Sequence, residues 1–170
     1  MKMTSAYANK MLRKLTEDKC YWKEKEDLGC VYRAAADEEP VIPNYDFAVV
    51  AGEIQAIDEK ILKIKHAINL NNVNSCIAVG DTQMSVDEIL VSMAQLNRRK
   101  QFLDEARKRD PKKRIGVAMY NPRRAVPEYE YINYDLELVK QEYDRVDMQI
   151  AQMQIALDRY NQTYEFEVQI

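Results

Sequence analysis

The chain predicts a mainly α protein: two long antiparallel helical hairpins forming a four-helix bundle, each hairpin ending in a short β-strand. Three observations lead there. Phe47, Val50, Ile54, Ile57, Ile61, Ile64 and Ile68 keep three-four spacing for three heptads, the period of one helix face. Leu136, Val139, Tyr143, Val146, Ile150, Met153, Leu157 and Tyr160 do the same. Residues 44–79 then recur 89 positions later. Asn44-Tyr45-Asp46 falls on Asn133-Tyr134-Asp135, and Val50, Glu53, Asp58, Ile61, Ala67, Asn72 and Val79 meet identical residues. That is 10 identities in 36 positions without a gap, where unrelated segments share about 2. The chain is expected to be one domain, 1–170, with pseudo-two-fold repeat halves 1–80 and 81–170.

Composition agrees with this class. Of 170 residues, 46% are hydrophobic and 31% charged, with 4 Gly and 5 Pro, the balance of a helical bundle and not of a disordered tail. A net charge of −3 argues against a surface wholly committed to nucleic acid or acidic lipid. Cys20, Cys30 and Cys76 are odd in number and lack CxxC spacing, which points to a reducing compartment. The N-terminus shows no apolar signal-peptide core, and no apolar run approaches the ~20 residues that cross a bilayer. A soluble, cytoplasmic protein is expected, with no membrane partner.

Each element has its own signal. Thr4 or Ser5 can cap a first helix whose stripe is Ala8, Leu12, Leu15, Lys19 and Trp22, running to about Gly29. Pro40 and Pro43 make 31–43 a turn or extended link. The second helix opens at Asn44 or Asp46. Asn69, Asn71, Asn72 and Asn74 are expected to stop it, because Asn tolerates the left-handed conformation that ends helices. Cys76–Val79 reads as a strand and Gly80-Asp81 as a turn.

Ser85 with Glu88 forms a capping box for a third helix, with Ile89, Met93, Leu96, Lys100 and Leu103 as its stripe. It matches the first helix at an offset of 81, Lys19 falling on Lys100, and should stop near Asp110-Pro111. A connector to Ile132 follows, with short strands expected at Gly116–Tyr120 and Glu128–Ile132. Asn161 should end the fourth helix, and Tyr164–Val168 alternates as a strand does. The difference between the two offsets makes the second connector eight residues longer. The terminal strands would pair near the pseudo-two-fold axis or with strands of a second subunit.

The run Ile68-Asn69-Leu70-Asn71-Asn72, then a strand and a turn into Ser85, resembles the septicolysin-like family of small bacterial helical proteins. The resemblance continues at Glu128–Asp135 and reaches Asn161-Gln162-Thr163, where the family usually has Asn-Trp. Gln162 replaces that Trp, and the turn is Gly-Asp and not Asp-Gly. The resemblance implies a helical fold with small strands and supplies no catalytic residues.

Candidate sites are few. His66 is the only histidine and lies off the main stripe; without a second histidine no di-iron Glu-x-x-His pair forms, nothing local supports a nucleophile–His–acid set, and an ordinary surface or boundary histidine is expected. The triplets Asn44, Tyr45, Asp46 and Asn133, Tyr134, Asp135 could converge on a small ligand, with helix capping as the simpler reading. The stretch Arg98–Arg124 holds eleven basic residues against three acidic ones, +8 net, which leaves −11 on the rest of the chain. Within it Arg107, Lys108, Arg109, Lys112, Lys113, Arg114, Arg123 and Arg124 could contact nucleic acid or another anion, with Tyr120 to stack. A self-complementary face is the alternative. With no Walker loop, GxGxxG or GxSxG elbow, no enzyme, metal or cofactor is expected. The leading expectation is a non-enzymatic, homo-oligomeric helical scaffold or adaptor, and another protein as partner is open. A nucleic-acid-binding accessory protein is second, and a small-ligand binder at the triplets third.

Overall fold

The computed structural model describes residues 1–115 and 128–169. Among these, ten elements follow in order: β1 (Lys2–Thr4), α1 (Ser5–Gly29), α2 (Phe47–Asn74), β2 (Cys76–Val79), β3 (Thr82–Ser85), α3 (Val86–Ala106), β4 (Lys112–Arg114), β5 (Tyr129–Tyr131), α4 (Leu136–Thr163) and β6 (Glu165–Glu167). The protein is mainly helical with short strand pairs. Antiparallel β1 pairs with β6, placing Lys2 opposite Glu167, Met3 opposite Phe166 and Thr4 opposite Glu165. β2 pairs with β3 across the Gly80-Asp81 turn, and β4 pairs with β5.

Helix starts follow the side chains that cap them. The Thr4 hydroxyl accepts from the Tyr7 N–H at 3.2 Å. Asp46 accepts from the N–H groups of Ala48 and Val49 at 2.8 and 3.2 Å, and Asp135 from those of Glu137 and Leu138 at 2.8 and 3.3 Å. Each satisfies donors that the first helical turn leaves free. Along α2 the buried positions are Val50, Ile57, Ile64 and Asn71, seven apart, with Ile54, Ile61 and Ile68 half-buried between them.

The end of α2 corrects one expectation. The asparagines do not stop the helix: it runs through Asn69, Asn71 and Asn72 to Asn74 and closes on Ser75, whose backbone is extended. No non-glycine residue among those described has a positive φ. The physical reason is Asn71, which is buried and spends its amide on side-chain bonds inside the fold instead of capping backbone. Asn161 likewise lies within α4, which continues to Thr163. Among the described residues only Gly80 turns left-handed, with φ +58°, where the two-residue turn from β2 to β3 requires it. The third helix also stops earlier than expected, at Ala106, and the basic residues 107–109 form the turn after it.

Three strands carried no readable signal. β1 and β4 have three residues each, and β3, Thr82-Gln83-Met84-Ser85, lacks the apolar run that marks the equally short β2. The expected strand Glu128–Ile132 is present as β5, and Tyr164–Val168 narrows to β6. The expected strand Gly116–Tyr120 lies outside the described residues. The strands Cys76–Val79 and Glu165–Glu167 pair not with each other but with β3 and β1.

The chain divides into two compact units: Met1–Ile77 with Ser85–Asp87 and Leu157–Ile170, and Ala78–Met84 with Glu88–Ala156. In the first, Met3, Ala8, Ile64 and Val168 form a core against which Met11, Leu12, Leu15, Ile68 and Phe166 pack. In the second, Ile89, Leu103, Ala106 and Val146 are buried. Cys20, Cys30 and Cys76 are free and exposed.

Candidate functional site

In each unit a lysine on one helix reaches an aspartate on the next. Lys19 of α1 bonds both carboxylate oxygens of Asp58 on α2, at 2.6 and 2.7 Å. Lys100 of α3 bonds Asp147 of α4, and that hydrogen bond holds its ammonium above the ordinary lysine range. Lys19 and Lys100 are the residues that interrupt the apolar stripes, so each leaves its own helix's stripe to tie the neighbouring helix.

The two Asn-Tyr-Asp triplets fall in different units and play parallel parts. Asp46 and Asp135 cap their own helices, as above. Tyr45 lies against the end of α1, so close that a Cβ built on Gly29 would stand 2.6 Å from the Tyr45 Cβ. Burial there, then Glu26, Cys30 and Asp46, push the Tyr45 phenol above its ordinary pKa. Tyr134 donates its hydroxyl to the Ala106 carbonyl at the end of α3, 2.7 Å away. Both triplets therefore open a helix and hold the end of the preceding one.

The basic segment separates into three parts. Arg107 and Lys108 are committed to Asp104, whose carboxylate their hydrogen bonds hold below its usual range. The Arg107 guanidinium also lies 3.9 Å from the centre of the Tyr143 ring. Lys112, Lys113 and Arg114 make up β4, exposed throughout and paired with Tyr131, Glu130 and Tyr129 in that order. Arg123 and Arg124 lie outside the described residues. Arg109, Lys108 and Lys113 share a cleft of about 610 Å³ with Asp110, Asn133 and Tyr134. The second triplet and part of the basic segment thus stand in one place, a meeting that periodicity could not foretell.

Sequence reasoning missed a buried polar network in the first unit. The buried amide Nδ2 of Asn71 donates to the Tyr160 hydroxyl at 2.8 Å, and Ser75 donates to Asn71 Oδ1 at 3.1 Å. Tyr160 stacks on Tyr164 with ring centres 4.9 Å apart. Beside this network opens a cleft of about 760 Å³ that His66, Lys63, Asn74 and Glu167 help to line. A signal existed: Asn71 stands seven residues after Ile64, on the stripe of buried α2 positions, where a polar side chain needs a partner. An open groove of about 680 Å³ also runs along α2 past Phe47, Ala51, Ile54 and Leu62, with Glu26, Asp58 and Glu59 among its walls.

Among the described residues no three His, Cys, Asp or Glu side chains stand together to hold a metal ion. No helix among them is long and apolar enough to cross a membrane. No protein-family model and no curated protein matches the chain. Among solved structures it is similar to the crystal structure of a functionally unknown conserved protein from Corynebacterium diphtheriae. That likeness covers 98% of this chain and 100% of the other at a TM-score of 0.67 and 11% identity. It is a likeness of fold.

Proposed function

We propose that the protein is a non-enzymatic helical scaffold that self-associates through the open side of α2. One observation carries this reading: among the described residues α2 has two apolar stripes, one buried and one open. The first, Val50, Ile57, Ile64 and Asn71, is buried. The second lines the groove, where Phe47 is 66% and Leu62 69% exposed. Among the described residues, twenty-two large hydrophobic side chains are exposed against eleven buried ones, so burial within the chain leaves apolar surface to cover.

The occupant is a second copy, on grounds of charge. Glu26 and Glu59 give the groove acidic walls, while Asp58 beside them is paired with Lys19. On α3, Val91, Arg98 and Phe102 follow at intervals of seven and four along one exposed face, and Arg99 lies 5.2 Å from the Phe102 ring centre. An apolar stripe with basic residues fits an apolar groove with acidic walls. The segregation of +8 and −11 along the sequence supports the same match.

The four-helix, pseudo-two-fold arrangement belongs to this reading. Lys19–Asp58 and Lys100–Asp147 are related by the offsets of 81 and 89 that the sequence repeats. Asn71 and Tyr160 stand 89 apart and bond each other, as equivalent residues do where a two-fold axis passes between them. Membership of the septicolysin-like family, a cytoplasmic location and a single domain are kept as parts of the proposal. A ligand pocket made jointly by the triplets has less in its favour, since both aspartates are spent on helix caps.

Light scattering at about 10 µM tests the proposal. The expected mass is a multiple of 19.9 kDa, and Phe47→Asp with Leu62→Asp should return it to one chain without loss of helical circular dichroism. A clean wild-type monomer at that concentration sinks the reading.

A further inference from the structure

The β4–β5 hairpin sorts its side chains by face. Residues paired across the two strands are Lys112 with Tyr131, Lys113 with Glu130, and Arg114 with Tyr129. Alternation along each strand then sets Lys112, Arg114, Tyr129 and Tyr131 on one face. The other face takes Lys113 and Glu130, and is extended by Ile115 and Glu128, whose backbones are joined by a 3.0 Å bond. The repeating order Glu128-Tyr129-Glu130-Tyr131 therefore separates every acid of the hairpin from both tyrosines.

Among the paired residues of the two strands, the face that results has two cations, two aromatic rings and no carboxylate. Its rings are open to solvent, Tyr129 at 37% and Tyr131 at 61% exposure. Their centres lie 6.4 Å apart with planes inclined by 51°, so they are not stacked upon each other. The Lys112 ammonium stands 4.3 Å from the Tyr129 centre and 5.5 Å from that of Tyr131. A lysine held over a ring by cation–π attraction is on a flexible stem and can swing to a phosphate, which leaves the ring free for a base.

We propose that this face of the β4–β5 hairpin binds single-stranded nucleic acid, Lys112 and Arg114 pairing with phosphates and Tyr129 and Tyr131 stacking on bases. The reading is independent of self-association through α2. A single strand is favoured over a duplex because the open rings need bases that are not already stacked on neighbours. A purely electrostatic surface would gain nothing from the tyrosines. Arg107 and Lys108 do not belong to the site, being held by Asp104.

Fluorescence anisotropy with a labelled 20-nucleotide oligo-dT and an oligo-U tests this on the full chain. Binding should weaken between 50 and 200 mM salt, with a log–log slope near −1.4 for two phosphate contacts at about −0.7 each. Lys112→Gln with Arg114→Gln should flatten that slope. Tyr129→Ala and Tyr131→Ala should each cost about tenfold in affinity, within the range of base stacking on an aromatic ring. Lys60→Gln with Lys65→Gln, exposed on α2, should change neither. Circular dichroism shows that the variants keep their helices. The proposal is overturned by no binding at 50 mM salt, by tyrosine variants that bind as the wild type does, or by equal affinity for heparin. Preference for the duplex form of the same sequence overturns the single-strand assignment.

Discussion

The two links that join neighbouring helices, 30–46 between α1 and α2 and 107–135 between α3 and α4, begin alike and end alike. Each leaves a helix and closes on Asn-Tyr-Asp, whose tyrosine holds the helix just left and whose aspartate caps the helix just entered. What lies between differs. The first link has no strand and carries its charge in Asp37-Glu38-Glu39. The second carries β4 and β5, where Lys112 and Arg114 pair with tyrosines and Lys113 between them pairs with Glu130. Contacts that hold helices together recur at matched positions, whereas the surface chemistry does not. In a molecule built this way what repeats marks the residues that hold helices together, and what fails to repeat is where a test of function belongs.

The largest test of that contrast is the bond between Asn71 and Tyr160. These two residues stand 89 apart, at matched positions, yet are different and satisfy each other in a buried setting. Asn71→Leu strands the Tyr160 hydroxyl and Tyr160→Phe strands the amide, and each should cost about 1–3 kcal/mol of stability. The double change removes donor and acceptor together and should recover most of the loss. A urea double-mutant cycle reads this directly, and additive losses would mean that the two groups do not depend on each other.

Glycine gives a sharper version on one hairpin. Gly29 faces the Tyr45 side chain at a distance that no Cβ tolerates, whereas a Cβ at Gly52 in the middle of α2 meets nothing within 4 Å. Gly29→Ala should therefore destabilise by about 1–2 kcal/mol through overpacking. Gly52→Ala should stabilise by about 0.5–1 kcal/mol through helix propensity. Opposite shifts in thermal midpoint are the expected result, and shifts of the same sign would deny the close approach at Gly29.

How much of this was legible follows from the range over which each signal acts. The heptads of α2 and α4 repeat within one element, so most of their burial pattern was readable, although Phe47 at the head of the α2 stripe is 66% exposed. Asp46 and Asp135 act two or three residues away and were equally visible as caps. Asn71 was read as local punctuation because its partner lies 89 residues off, and no local rule reveals a bond to Tyr160. The asparagine run looked like a stop only while its side chains were assumed to serve the backbone beside them. The hairpin fell between these cases: the basic run was plain, but β4 is too short to announce itself. Without β4 the alternation of Tyr129 and Tyr131 with acids had no partner strand to give it a face.

A smaller effect is expected at the starts of α1 and α3. Ser5 and Val86 open these helices 81 residues apart and both are buried, but the Ser5 hydroxyl has no hydrogen-bond partner. An orphaned buried hydroxyl costs stability that a methyl group does not. Ser5→Ala should accordingly raise stability by about 1 kcal/mol in urea melts. A loss instead would show that the hydroxyl is satisfied in solution.

The smallest effect should come from the pair of contacts that most resemble each other. Lys19–Asp58 and Lys100–Asp147 each join two helices, but their aspartate side chains are 49% and 52% exposed. Charges so open to water gain little by pairing, because solvent and salt screen them and two long side chains must be ordered. Lys19→Met and Lys100→Met should therefore move the thermal midpoint by no more than about 3 °C each, and the small shift should shrink further in 0.5 M salt. The methionine keeps the aliphatic stem packed on its helix, so only the charge is removed. If these contacts set which helices pair instead of how tightly they do, the double variant keeps its midpoint but loses a sharp near-ultraviolet spectrum. A large loss of midpoint from either single change would make the ion pairs structural supports in their own right, and the recurrence would then reflect stability and not register.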